Sequence, residues 1–295
     1  MRLFILFILI CVGIVAGFVP MIILSLASGH GLMGLLNPEV LMGDNTMLTR
    51  LILLINHLSM FILPALAWGF IHYKRDLLRG LDLKPKFSWL YVIAGIAFLL
   101  IAYPIVAKSY EINKLWELPA WMTKAEDQTA ELLKKLLTMN SIGSLLLNLV
   151  VIAIIPGIGE ELIFRGIIQK ELGRYFKSPY VAIVIASVIF SAFHFQFEGF
   201  LPRMFLGLIL GLLYHWTGSL WVPIIVHAFN NGMQVVMTYF NPAMATEDLE
   251  SAISVEWYYL LGSIILTTAL SFWFIKQKAK KTEDEISAPI TQNLN

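Results

Sequence analysis

The chain has 295 residues, of which 58% are hydrophobic and 14% charged, against about 45–50% and about 25% in a typical soluble domain. Its 21 Lys and Arg nearly balance 20 Asp and Glu, for a formal net charge of +1, and mean hydropathy is +0.75. These values exclude a soluble globular enzyme, a disordered chain and a nucleic-acid binder working through a basic surface.

A helix needs about 20 mostly apolar residues to cross a bilayer core. In chain order, eight runs qualify as candidate spans: 3–28, 50–71, 88–107, 143–169, 179–196, 203–216, 220–240 and 257–275. The expected fold is all-α: a single polytopic membrane bundle over 1–275, with a catalytic core at about 143–240. The first run contains the single cysteine, Cys11, which cannot form an internal disulfide. That run, Leu3 to Leu26, is far longer than the apolar region of a signal peptide and reads as a retained helix.

Positive charge sets orientation. Lys74, Arg75, Arg79, Lys84 and Lys86 follow the second run. Lys170, Arg174 and Lys177 follow the fourth, and Lys276, Lys278, Lys280 and Lys281 follow the eighth. With eight spans all of these fall on one side, together with Arg2, so both termini are expected in the cytoplasm. The opposite side holds 241–256, with Glu247, Asp248, Glu250 and Glu256 and no Lys or Arg.

The longest outer loop is 108–142. Its stretch Trp121 to Met139 places Leu132, Leu133, Leu136 and Leu137 on one helical face. An amphipathic helix lying on the bilayer and a soluble hairpin covering the bundle both fit this pattern. The polar tail, 276–295, reads as disordered and cytoplasmic.

Carboxylates in a membrane span cost about 2.5–3.5 kcal/mol each on insertion scales. The fourth run nevertheless contains Glu160 and Glu161 side by side. Arg165 stands four residues after Glu161, acid before base, which places the two on one face as a favourable ion pair. Glu160 is rotated about 100° away and has no cation at i+3 or i+4, so it needs another partner. Pro156, Gly157 and Gly159, just upstream, can open the helix to water or to a substrate backbone. His194 closes the fifth run, while His227 and Asn231 stand one turn apart in the seventh. Asn56, His57 and Asn148 read as interhelical hydrogen-bonding groups.

These residue types suit hydrolysis of an amide by water. A desolvated Glu is a strengthened base, a neutral His can hold the same water, and a second His with an Asn amide can donate to a developing oxyanion. The chain has no His-Glu-x-x-His, no Gly-x-Gly-Asp and no Gly-x-Ser-Gly, the patterns of three other intramembrane protease chemistries. What remains is Glu160-Glu-Leu-Ile-Phe-Arg165, Phe190-Ser-Ala-Phe-His194 and His227-Ala-Phe-Asn-Asn231, in that order on three runs.

Over about 150–235 these motifs resemble the CPBP (CAAX protease and bacteriocin-processing, also called ABI) intramembrane endopeptidases, related to the Rce-type prenyl-protein proteases. The resemblance implies a glutamate-dependent protease. By it Glu160 is the general base, His194 positions the water, His227 and Asn231 form the oxyanion hole, and Glu161 with Arg165 braces the site. It implies no cofactor. Zinc held by the Glu and His side chains is the alternative that the residue types permit. The implied partners are the lipid bilayer and a membrane-embedded or lipidated peptide or protein substrate, with no nucleic acid. The implied location is the bacterial cytoplasmic membrane. Two other readings stay open: a transporter whose buried charges form an ion path, and a non-catalytic bacteriocin-immunity protein of the same fold.

Overall fold

A computed structural model of the chain describes residues 1–27, 45–83, 88–245 and 255–287. Among the described residues there are helices and no strands. Among these residues nine runs containing α-helix follow one another, with a short 3-10 turn at Pro242–Ala245 besides: α1 (Arg2–Ala27), α2 (Thr46–Gly80), α3 (Trp89–Asn113), α4 (Ala120–Leu137), α5 (Ile142–Phe176), α6 (Pro179–Ala192), α7 (Phe200–Thr217), α8 (Trp221–Phe240) and α9 (Trp257–Ser287). Each of the eight expected spans coincides with one of them. Six are long and apolar enough to cross a membrane, namely α1, α2, α3, α5, α7 and the Trp257–Lys280 part of α9. The chain is therefore an integral membrane protein. The expected number was eight. The two that fall short are α6, with only 14 residues, and α8, which is 20 residues long but carries His227, Asn230, Asn231 and Gln234.

The bundle is built around α5. One core joins α1, α2, α5 and α6 through Trp68, Phe164, Ile167 and Phe190, all buried. A second joins α3, α7, α8 and α9 through Phe98, Leu213, Trp216, Val226 and Phe274. Outward-facing Phe4, Phe7, Val15 and Phe18 of α1, and Tyr259, Ile265 and Phe272 of α9, are exposed. In a bilayer such faces meet lipid at no hydrophobic cost.

Proline shapes the two helices that matter most. Pro64 and Pro156 each lack an N–H for the carbonyl four residues back, and their rings crowd it. In both places the preceding turn widens to a π-helix, at Leu58–Ile62 in α2 and Leu149–Ile154 in α5. A second π turn, Phe164–Gln169, follows in α5. Glu160 and Glu161 therefore sit on a short α-helical stretch, Ile155–Ile163, between two widened turns. Gly157 faces α8 so closely that a Cβ there would lie 3.1 Å from the Ala228 nitrogen.

Residues 108–142, for which a helix on the bilayer and a hairpin covering the bundle both fitted the sequence, contain one complete helix, α4. Leu136 and Leu137 are buried against the bundle, while Glu131 and Lys134 face outward. The tail expected to be disordered is helical as far as Ser287, because the Lys-, Gln-, Ala- and Glu-rich sequence after Ile275 continues α9. Residues 288–295 lie outside the described residues, as do Lys84, Lys86, Glu247, Asp248 and Glu250 of the charge-bias argument.

Candidate active site

The Glu161 carboxylate is fully buried and shared. Its Oε1 accepts from Arg165 Nη1 at 2.6 Å, the pairing that the i, i+4 spacing predicts, and from His227 Nδ1 at 2.8 Å. Arg165 is equally buried. It donates through Nη2 to the Gly207 carbonyl at 2.9 Å and lies 4.7 Å over the Phe190 ring. Gly207 lets α7 approach α6 closely, since a Cβ there would stand 2.9 Å from that of Ser187. One ion pair thus ties α5, α7 and α8 together and orients a histidine.

Glu160 points elsewhere, as its rotation around the helix requires. It is 6% exposed. Oε1 lies 3.3 Å from His57 Nε2 on α2. Oε2 lies 3.8 Å from His194 Nε2 and 3.9 Å from His227 Nε2, and makes no hydrogen bond among the described residues. Three imidazoles from three different elements therefore surround one carboxylate.

The backbone decides what two of these rings can do. His194 Nδ1 lies 2.9 Å from the Phe190 carbonyl, which can only accept, so Nδ1 carries a proton. The neutral ring then presents a lone pair at Nε2, towards an acceptor oxygen of Glu160. Two acceptors facing each other across 3.8 Å call for a donor of two hydrogens between them. His227 is constrained similarly. Its Nδ1 donates to an ionised Glu161, so Nε2 can donate as well only when the ring is an imidazolium.

The placement of His194 differs from the expectation that it ends a span. α6 stops at Ala192, and His194 lies in the turn that follows. That turn is held from three directions. Asn113 of α3 donates to the Phe197 carbonyl at 2.8 Å and accepts from Leu201 N at 2.6 Å. Arg203 donates to the Gln196 carbonyl at 2.7 Å. Glu126 of α4 accepts from Glu198 N at 2.8 Å.

Asn231 is one turn along α8 from His227, but its hydrogen bonds are to Ile152 O, at 3.3 Å, and to Asn230. Pro156 supplies no N–H to that Ile152 carbonyl, and the Asn231 amide takes the vacant place. The structure gathers Glu160, His194 and His227 around one point. It does not hydrogen-bond Asn231 to any of them.

Asn148, expected to be an interhelical group, is one: it accepts from Arg50 Nε at 2.7 Å and donates to Leu136 O at 2.6 Å. Asn56 faces Gly17 of α1. His57, read with Asn56 as an interhelical group, makes its interhelical contact to Glu160. Its position in mid-span was visible in the sequence, but the helix it faces was not.

Residues 142–233 match the family described as "Type II CAAX prenyl endopeptidase Rce1-like". The chain is 36% identical over 107 residues to the membrane-embedded CAAX protease MroQ of Staphylococcus aureus (strain USA300), covering 34% of this chain and 43% of that protein. It is 26% identical over 174 residues to the uncharacterized protein YpbD of Bacillus subtilis (strain 168), covering 57% of this chain and 79% of that one. The match thus spans less than half the length of the staphylococcal protein. No solved structure matches the chain. The family resemblance carried by the three motifs is borne out over the segment that contains them.

Proposed function

We propose that the protein is an intramembrane endopeptidase of a bacterial cytoplasmic membrane. It hydrolyses a peptide bond of a membrane-embedded or lipidated substrate with water activated by Glu160. The observation that carries this reading is the buried Glu160 Oε2, without a hydrogen-bond partner among the described residues, facing His194 Nε2 at 3.8 Å. A water placed between them donates one hydrogen to each and turns a lone pair towards the substrate carbonyl.

In the reaction that follows, the water oxygen bonds to the carbonyl carbon and its proton passes to Glu160. Glu160 then delivers that proton to the departing nitrogen as the C–N bond breaks. Charge on the carbonyl oxygen is met by His227 Nε2 in the imidazolium form, with the ring held at Nδ1 by Glu161. Asn231 can add its second amide hydrogen.

We read the chemistry as metal-free. Among the described residues no group of three or more His, Cys, Asp or Glu side chains is arranged to hold a metal ion. Purified protein stripped by a strong chelator, and free of zinc by metal analysis, is expected to retain activity. Loss of activity that zinc restores would overturn this point.

The central experiment is cleavage of a membrane-peptide library by wild-type protein and Glu160→Gln, both purified in detergent or nanodiscs. Wild type is expected to cleave and Glu160→Gln to lose at least about a thousandfold, since a general base and the site of its water are both removed. Equal cleavage by the two would reject Glu160 as the base.

A further inference from the structure

His57 belongs to α2, outside residues 142–233, and none of the three motifs includes it. It is nevertheless the nearest of the three imidazoles to the Glu160 carboxylate, at 3.3 Å from Oε1. Carboxylate oxygens accept, so this contact is a hydrogen bond from a protonated His57 Nε2. The two oxygens of Glu160 are thereby distinguished. Oε1 is committed to His57, while Oε2 is left towards His194 and His227.

We infer that His57 is a positioning residue for the catalytic base. By donating to Oε1 it fixes the rotation of the carboxyl group, so that Oε2 is the oxygen presented to water. This inference rests on the protease reading of the site.

The surroundings support a built position. A π turn, Leu58–Ile62, begins immediately after His57. It is held by the close passage of α1, where Gly13 lies so near Ser59 that a Cβ would meet its carbonyl oxygen. The imidazole stacks on Phe61, with ring centroids 5.3 Å apart, and Phe61 packs against Phe164 and Phe193. His57 is thus fixed on both sides, by a ring and by a carboxylate. The other ionisable groups around Glu160 are His194 from the turn after α6, His227 from α8, and Glu161 and Arg165 from α5 itself. Of these, only His194 and His227 face it directly, and both approach the other oxygen.

A packing role and a donor role separate cleanly by substitution. His57→Phe keeps a ring to stack on Phe61 and removes the donor. His57→Gln removes the ring and places an amide N–H close to the position of Nε2. The expected result is a fall of kcat of about ten- to hundredfold in His57→Phe, the size of one lost hydrogen bond to an ionised group. KM should change little, and His57→Gln should recover most of the loss. Full activity in His57→Phe, or a His57→Gln no better than His57→Phe, overturns the inference while wild-type cleavage leaves the protease reading intact.

A second measurement needs no turnover. The Glu160 carboxylate stretch, isolated as the infrared difference between wild type and Glu160→Gln, is expected to shift in His57→Phe and return in His57→Gln. An unmoved band overturns the inference, whatever the protein proves to cleave. Should His57→Phe fail to fold, His57→Leu provides the donorless comparison for both readouts.

Discussion

Glu160 and Glu161 are neighbours in sequence with opposite surroundings, because successive helical residues differ by about 100°. Glu161 is enclosed by cationic or protonated donors, Arg165 and His227. Glu160 is met by imidazoles instead, and on each of the two carboxylates Oε2 has no hydrogen-bond partner among the described residues. The consequences of losing each should differ. Glu161→Gln leaves Arg165 buried without its acid, a change that costs about 3–5 kcal/mol where a buried pair is broken. The melting temperature in detergent should fall sharply, with folded yield falling alongside. Glu160→Gln should melt close to wild type. Equal melting of wild type and Glu161→Gln would show that the pair does not support the fold. The i, i+4 spacing made this ion pair legible in the sequence. The second partner, His227, was not legible in that role, since 66 residues separate it from Glu161.

At the scale of elements, the site depends on how closely helices approach and on how the turn bearing His194 is held. Gly157 lets α5 and α8 meet backbone to side chain, with Ala228 N, Cβ and Cα all within 3.3 Å of a built Cβ. Gly157→Ala is therefore expected to force α8 outward, costing about 1–3 kcal/mol and displacing His227. Gly262, which has nothing within 4 Å, is the control. Thermal melts should show Gly157→Ala destabilised and Gly262→Ala unchanged or slightly stabilised. The reverse order would refute the packing argument.

Glu126 of α4 clamps the turn through Glu198 N. Burial raises its carboxyl above the ordinary range, and the charge of Glu198 adds to this. The N–H groups of Glu198 and Gly199 and the charge of Arg203 oppose it. The seated carboxyl thus holds its proton more tightly than the free one. Seating is favoured most below the ordinary Glu value, about 4.3, and weakens as pH rises through the raised value. Hydrogen exchange at the Glu198 amide should accelerate across that window beyond its intrinsic pH dependence. Glu126→Gln should abolish the excess, and an unchanged excess in that variant would assign it to another group.

For the whole molecule, the topology follows from which helices cross the bilayer. Six helices qualify by length and composition, and an eight-crossing topology additionally requires α6 and α8. α8 carries His227 and Asn231, α6 leads into the turn that bears His194, and protein neighbours can satisfy polar residues that lipid cannot. In a Cys11→Ser background, single cysteines at Arg75, Lys177, Trp221 and Lys280 should label from the cytoplasmic side. Those at Glu117 and Asn241 should label from the opposite side. Trp221 and Asn241 labelling from one side would show that α8 does not cross.

The sequence by itself determined the membrane class, the helical character of every span, and the Glu161–Arg165 pair, because each follows from composition or from the 3.6-residue period within one helix. It also marked Glu160 as an acid that needs a partner from elsewhere. Only the tertiary structure decided which groups those partners are. His57, His194 and His227 come from α2, the turn after α6, and α8. Their convergence depends on π turns at Pro64 and Pro156, on the early end of α6, and on glycine contacts between helices. Local periodicity carries no record of such packing, and so the third imidazole at the carboxylate emerged from the folded arrangement alone.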